Sequence, residues 1–343
     1  MPAVSSGIDW AGSLGFTWRL REMDPASWQP GGDVPGVVSA AVSRDAGGKL
    51  LESGSAAVQA GVSYEPREMW ARIEVLADSG SAVERWPVAT LLLVPGDAEI
   101  RRGMKSVPYD GYSVLKAAQD LTLPTGYSVR AGDDGAAAAA GILSRAFRQA
   151  GANIPVTARG SFTLSQGVVL SRGTSCLDAA WMLADAAGWC IQVQPDGSVE
   201  VKPKPDEPAL AIDHDAAGLL GTAVSAPGPV NGAPNTYIAV DGLSTARAVI
   251  EGAGRPVEYY DDAPKRVNGE SLQDYAERRL AELNEVVGTR TYQRAWVPGL
   301  TVFDRIDGKL PEAGLDAPMR IVSQHMALGG GMLMVDEGTE VLS

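Results

Sequence analysis

The chain has 343 residues, 45% of them hydrophobic and 21% charged, enough apolar material for two or three domains with real cores. With 29 basic against 42 acidic residues the net charge is −13, so the surface does not draw in nucleic acid or anionic lipid by Coulomb attraction. The 40 Gly and 22 Pro favour turns and short strands over long helices, and two cysteines exclude a disulfide framework.

The opening MPAVSSGIDWAG lacks the basic and apolar regions of a signal peptide. The longest apolar run, Val88 to Val94, falls far short of the roughly 20 residues that span a bilayer, so no membrane insertion is expected and the chain is read as soluble and made in the cytoplasm.

Residues 1–105 read as β-rich. Phe16, Trp18 and Leu20 alternate with Thr17, Arg19 and Arg21, the two-residue period of a half-buried strand. Further strands are predicted at 34–43, 55–64, 68–78 and 86–94, with Gly, Pro and Asp clusters between them. Composition shifts at about residue 106. YDGYSVLKAAQDL (109–121) allows a short helix from Ser113, and 133–153 reads as a helix capped by Asp133 or Asp134 and stopped by Gly151. Ile142, Leu143, Ala146 and Phe147 share one face of it.

The most legible stretch is GTSCLDAAWMLADAAGWCIQVQPDGSVEVKPKP (173–205). Ser175 and Asp178 resemble a capping box, Leu177, Trp181 and Ala184 form one stripe, and Gly188 ends the helix. Trp189, Ile191 and Val193 alternate with Cys190, Gln192 and Gln194. Gln194-Pro195-Asp196-Gly197 then supplies hairpin-turn chemistry before the return strand at Val199 and Val201. Pro203, Pro205 and Pro208 close this segment. From 209 onward the chain is mostly extended again, with a Pro/Gly-rich loop at 225–234 and one helix at 271–288, with Ser271 and Asp274 as a capping pair and Leu272, Tyr275, Ala276, Leu280, Leu283 and Val287 as its apolar face. Strands are predicted at 290–297 and 301–306, and a closing hairpin flanks Gly329-Gly330-Gly331.

No residue earns a catalytic, cofactor-binding or metal-binding assignment. His214 lies between Asp213 and Asp215, where a strand sends it to the opposite face, and His325 has no nearby partner in sequence. Cys176 and Cys190, 14 residues apart, lack further zinc ligands and read as small buried side chains. GYS (111–113), GYS (126–128) and GTS (173–175) do not complete GxSxG, and Gly252-Ala253-Gly254 is no dinucleotide fingerprint. Trp18, Trp70, Trp181, Trp189 and Trp296 sit in apolar periodic patterns suited to core packing. Two alternatives stay open: a carbohydrate-binding module using exposed tryptophans, and a peptidoglycan hydrolase with an unmarked carboxylate pair, since sequence does not place 42 acids in space.

In order, YDGYSVLKAAQD with LPTG, the helix–hairpin at 173–205, NTYIAVDG, SLQDYAERRLAELNEVVGTRTYQRAWVPGLTVFDRI and MRIVSQHMALGGGMLMVDEG resemble the hub proteins at the tail tip or baseplate of long-tailed phages. The resemblance covers residues 107–343, and 1–105 agree in kind. It implies an α+β, mainly β fold: a first tube-like β-barrel at 1–105, a small α/β middle domain at 106–205, and a second barrel at 206–343 with the helix 271–288 inserted. It further implies a non-enzymatic structural protein without cofactor, a homotrimer whose ring continues the tail tube at the virion tail tip and lets DNA pass without binding it. Its expected partners are the tail tube or distal tail protein, the tape measure protein and other tip proteins. The end at Ser343, just past the closing hairpin, implies that lytic or receptor functions reside in other tip proteins. A related contractile injection machine would use the same hub.

Overall fold

The computed structural model describes residues 15–80, 83–212, 220–225, 234–252, 254–284, 289–309, 317–328 and 333–340. The first part is made of strands β1 (Gly15–Asp24), β2 (Gln29–Asp33), β3 (Val37–Asp45), β4 (Glu52–Gly61), β5 (Met69–Asp78), β6 (Val83–Pro95), β7 (Glu99–Arg101) and β8 (Met104–Ser113). A middle layer follows: α1 (Lys116–Gln119), β9 (Tyr127–Val129), α2 (Gly135–Gln149), β10 (Val156–Ala158), β11 (Val168–Leu170), α3 (Cys176–Ala186), β12 (Trp189–Val193) and β13 (Val199–Pro203). The remainder holds β14 (Pro208–Ile212), β15 (Leu220–Ser225), β16 (Thr236–Asp241), β17 (Ser244–Val249), β18 (Glu258–Asp261), α4 (Leu272–Asn284), β19 (Thr289–Ala295), β20 (Arg305–Gly308), β21 (Pro318–Leu328) and β22 (Leu333–Glu340).

The chain is α+β and mainly β, as its turn-rich composition and two-residue periods predict. Strand β5 illustrates the pattern. Met69, Ala71, Ile73 and Val75 point into one core with Leu20, Val58, Leu91 and Tyr109, while Trp70 on the opposite face packs against the helical layer.

Strands from both ends of the chain share one 14-stranded sheet, ordered β15-β19-β22-β21-β3-β4-β8-β6-β5-β1-β2. The join is the antiparallel pair β21·β3, in register from Ser323↔Asp45 to Leu328↔Ala40. Closure into barrels is not observed: among the described residues the path is open, ending at β2 and β15. A separate sheet, β17-β16-β18, packs its Tyr237, Ala239, Ala246 and Ala248 on Tyr275, Ala276 and Leu280 of α4.

Two local expectations are corrected. Ser113 ends a strand instead of starting a helix, because Val107, Tyr109, Gly111 and Ser113 alternate inward and β8 pairs with both β4 and β6; the helix is only Lys116–Gln119. In 301–306 the strand begins only at Arg305. Thr301 to Asp304 form a turn, with the Asp304 carboxylate accepting from the Thr301 amide at 2.9 Å and Phe303 at φ 71°. Helix α2 is capped by Asp134, which accepts from the amides of Ala136 and Ala137, and α4 has the reciprocal Ser271/Asp274 box.

Candidate functional site: the seam between the two halves and its bracket

The β19-β22-β21-β3-β4 stretch is where the two ends of the chain meet, and its two faces reverse the usual arrangement of an antiparallel sheet. Charged residues normally decorate the open face and apolar ones the core face. Here Arg44 follows Ala40 and Val42 on the core-facing parity of β3, and Gln324, Asp336 and Arg294 hold the same parity on their strands. The Arg44 Nε donates to Glu52 Oε1 at 2.6 Å and its Nη1 to Gln324 Oε1 at 3.0 Å. The Gln324 amide donates to Asp336 Oδ1 at 3.1 Å, and the Asp336 carboxylate takes Arg294 Nε at 2.5 Å. Each of these residues is buried, Arg294 and Asp336 completely. The result is a polar relay crossing the sheet through five adjacent strands, with an ion pair at each end. Burial pushes the Glu52 carboxyl above its ordinary range, with Arg44 opposing, and burial together with the Asp336 charge raises the Tyr292 hydroxyl.

The open face of the same strands carries Ser39, Ala41, Ser43, Ser53, Ser55, Ala57, Gln59, Gln293, His325 and Ala327, flanked by Asp45 and Asp110. No lysine or arginine is exposed on this face among the described residues; Arg320, on the same parity of β21, is buried and donates to the Pro205 and Phe303 carbonyls.

The helix–hairpin at 173–205 clamps the seam from the other side. Ser175 accepts from the Asp178 amide at 3.0 Å, while the Asp178 carboxylate takes the Ser175 hydroxyl and the Lys49 ammonium instead of closing the box on the Ser175 amide. These contacts hold the Asp178 carboxyl below its ordinary range. Trp181 Nε1 donates to the Lys49 carbonyl at 3.0 Å. At the far end, Arg72 and the Thr90 hydroxyl donate to the Asp196 and Pro195 carbonyls, and Gly197 (φ 78°) lies against Thr90 and Trp28. Gln192 reaches the other half, donating to the Val302 carbonyl at 2.7 Å and to Asp304. Arg278 of α4 donates to the carbonyl of Ala186. The unit therefore touches both ends of the chain, through the Asp178, Trp181 and Gln192 side chains and through the carbonyls of Ala186, Pro195 and Asp196.

The residues singled out in sequence are scattered. Cys176 and Cys190 are buried and unbonded, and burial raises both thiols, Cys190 to about 11, so neither is a ready nucleophile. His325 is exposed with Nδ1 2.8 Å from the Ser43 hydroxyl. Both sit mid-strand, where the ladder engages the amides that would have to hold an oxyanion. Ser113, Ser128 and Ser175 lie on three different elements. His214, Gly329–Gly331 and Ala253 lie outside the described residues. Of the tryptophans, Trp28, Trp181 and Trp296 are buried and Trp18, Trp70, Trp86 and Trp189 half-buried. Among the described residues no group of three or more His, Cys, Asp or Glu is placed to hold a metal ion, and no helix is long and apolar enough to cross a membrane.

The sequence alone does not reveal the relay. Its trace is a charged residue on the apolar parity of a strand, as in Ala40-Val42-Arg44, but Arg44 and Gln324 stand 280 positions apart and no spacing rule joins them.

No family model and no curated protein matches the chain. Solved structures do. The tail protein from Neisseria meningitidis MC58 is 13% identical with a TM-score of 0.69, over 95% of this chain and 97% of that one. The 43 kDa tail protein of prophage MuSo2 from Shewanella oneidensis is 13% identical with a TM-score of 0.67, over 95% and 98%. The Escherichia coli c3393 protein, described as a type VI secretion component structurally similar to the T4 bacteriophage tail proteins gp27 and gp5, is 9% identical with a TM-score of 0.54, over 90% and 74%. The chain carries the fold of these phage-tail-like proteins along nearly its whole length.

Proposed function

We propose that this chain, folded as a phage tail protein, is a structural hub subunit: a homotrimer at the tail tip whose ring continues the tail tube and passes DNA. The observation that carries the channel is the open face of the seam. Among the described residues its exposed positions are mostly small or neutral side chains from both ends of the chain, with Asp45 and Asp110 beside them and no exposed lysine or arginine to pair with phosphate. Charges that would roughen this face are turned inward and neutralised in the relay. Among the described residues the main path of the large sheet ends at β2 and β15, which would give each copy unlike surfaces to bury against its neighbours, as a closed heterologous ring requires. Three copies carry the two tube-like units each that would match a six-fold tube to a three-fold tip. In this reading residues 1–105 and 206–343 supply the tube units and 106–205 the bracket, and the neighbours are the tube or distal tail protein, the tape measure protein and other tip proteins.

The role is non-enzymatic. A sugar-binding platform is disfavoured because every described tryptophan is at least half-buried. The likeness to a type VI secretion component supports a second setting, a contractile injection machine using the same hub. Light scattering on a sizing column across a concentration series tests the ring. A particle near three times 35.8 kDa with a three-fold channel in images supports it, and a strict monomer that never joins purified tail tubes refutes it.

A further inference from the structure

The β7–β8 hairpin stands apart from the acidic surface around it. Residues 99–105, EIRRGMK, carry Glu99 against Arg101, Arg102 and Lys105 in a chain whose net charge is −13. Arg101 pairs with Glu99 at 3.2 Å where both are well exposed, a contact worth little in water, and Lys105 donates to the Tyr64 carbonyl. Apolar side chains surround the cations: Ile100 is 62% exposed, Met104 48%, and Val62, in the turn that follows the Gly61 partner of Met104, is 54% exposed. Arg101↔Met104 closes the hairpin, so Arg102 (φ 51°) and Gly103 (φ 80°) form its two-residue loop. Such a loop wants Asn, Asp or Gly at its first position, and an arginine there costs on the order of 1 kcal/mol. The chain accepts that cost to hold a guanidinium at the outermost point.

A complementary patch exists elsewhere on the same chain. Strand β18, an edge of the three-stranded sheet, reads Glu258-Tyr259-Tyr260-Asp261, followed by Asp262. Tyr260 is 62% exposed, and Tyr259, stacked on Tyr237 at 5.2 Å, is 44% exposed. Asp262 is exposed; Glu258 is exposed and shared with Arg247 at 3.2 Å; Asp261 is engaged by the Tyr237 and Tyr275 hydroxyls. Tyrosine faces accept guanidinium and thioether groups, and the carboxylates answer the arginines.

We infer that the β7–β8 hairpin of one copy docks on β18 of the next, setting Arg101, Arg102 and Met104 against Tyr260, Glu258 and Asp262. Charge complementarity between two unlike patches of one chain selects a second copy as the occupant. The contact is heterologous and propagates in one direction around a ring. This rests on the trimer proposed above and supplies its specificity.

Met104→Cys and Tyr260→Cys proteins, mixed under mild oxidation, test it; both native cysteines are buried. A disulfide-linked heterodimer is expected in the mixture and in neither protein alone. Arg101→Glu with Arg102→Glu is expected to raise the assembly midpoint about tenfold, and adding Glu258→Arg with Asp262→Arg to restore it, with circular dichroism confirming folded variants. If the wild type assembles while the cross-link fails and charge reversal leaves the midpoint unchanged, the docking is wrong and the trimer stands. A wild type that remains monomeric, with no cross-link, overturns both.

Discussion

Asp336→Ala is the sharpest test of the seam. Asp336 and Arg294 are fully buried, and the carboxylate accepts from Arg294 Nε at 2.5 Å, Arg294 Nη2 at 3.3 Å and Gln324 Nε2 at 3.1 Å. Truncation strands the guanidinium without a counter-charge and frees Gln324 from its acceptor. Breaking a buried pair from one side costs about 3–5 kcal/mol, mostly the penalty of the uncompensated charge. Replacing both members with apolar residues of similar length, Asp336→Leu with Arg294→Met, removes the charge penalty and leaves only the Gln324 amide unpaired, so the double variant should be clearly more stable than the single one. Urea unfolding followed by tryptophan fluorescence reads both, because Trp296 lies two residues beyond Arg294 in the core of the first strands. A single-variant loss under about 1 kcal/mol, or a double variant as unstable as the single one, would refute the view of the relay as a coupled unit.

Gly197→Ala should destabilise the bracket by more than about 1 kcal/mol, since φ is 78° and the new Cβ would stand 2.8 Å from Thr90 Cβ; urea midpoints measure it. Ser175→Ala removes the α3 cap and should cost about 1 kcal/mol in the same assay, with the helix retained by circular dichroism. Burial raises the Asp304 carboxyl above its ordinary 3.8, against the Thr301 amide, Gln192 and nearby cations. Its folded form thus binds the proton more tightly than the unfolded one, and its contribution to stability declines as pH rises from 3.8 through the folded value. Asp304→Asn lacks that decline, so the variant should gain on wild type between pH 4 and pH 7. A difference that stays flat, or runs the other way, contradicts the assignment.

What was legible in the sequence was local. Ser175, the Leu177–Trp181–Ala184 stripe and the Pro-Asp-Gly turn each act within a few residues, and α3 with its hairpin appears where they place it. Asp134 and the Ser271/Asp274 pair behave likewise at their helices. The error at Ser113 arose where Tyr109-Gly111-Ser113 and a helical reading compete over a short window; partners on β4 and β6, invisible along the chain, decide for the strand. The seam was beyond reach for the same reason on a larger scale. Pairing of β3 with β21 spans most of the chain, and an arginine at an inward position reads as an outward one until its glutamate, glutamine and carbonyl partners are known.

That reversal of polarity is what ties the fold to the proposed role. A sheet that buries its charges bears the desolvation of Arg44, Glu52, Arg294 and Asp336, which a stable core alone would not require. Buried ion pairs fix register more surely than apolar side chains do, because a slip of one residue would strand every charge. At β21·β3 the register joins the two ends of the chain, and a one-residue shift would also turn Ser43, His325 and Ala327 away from the open face. The relay and the neutral face are therefore two sides of one constraint. If the face lines a channel, an arginine introduced at Ser55 or Ala327 would leave stability nearly unchanged, since both are solvent-facing, while retarding DNA passage in a salt-dependent way.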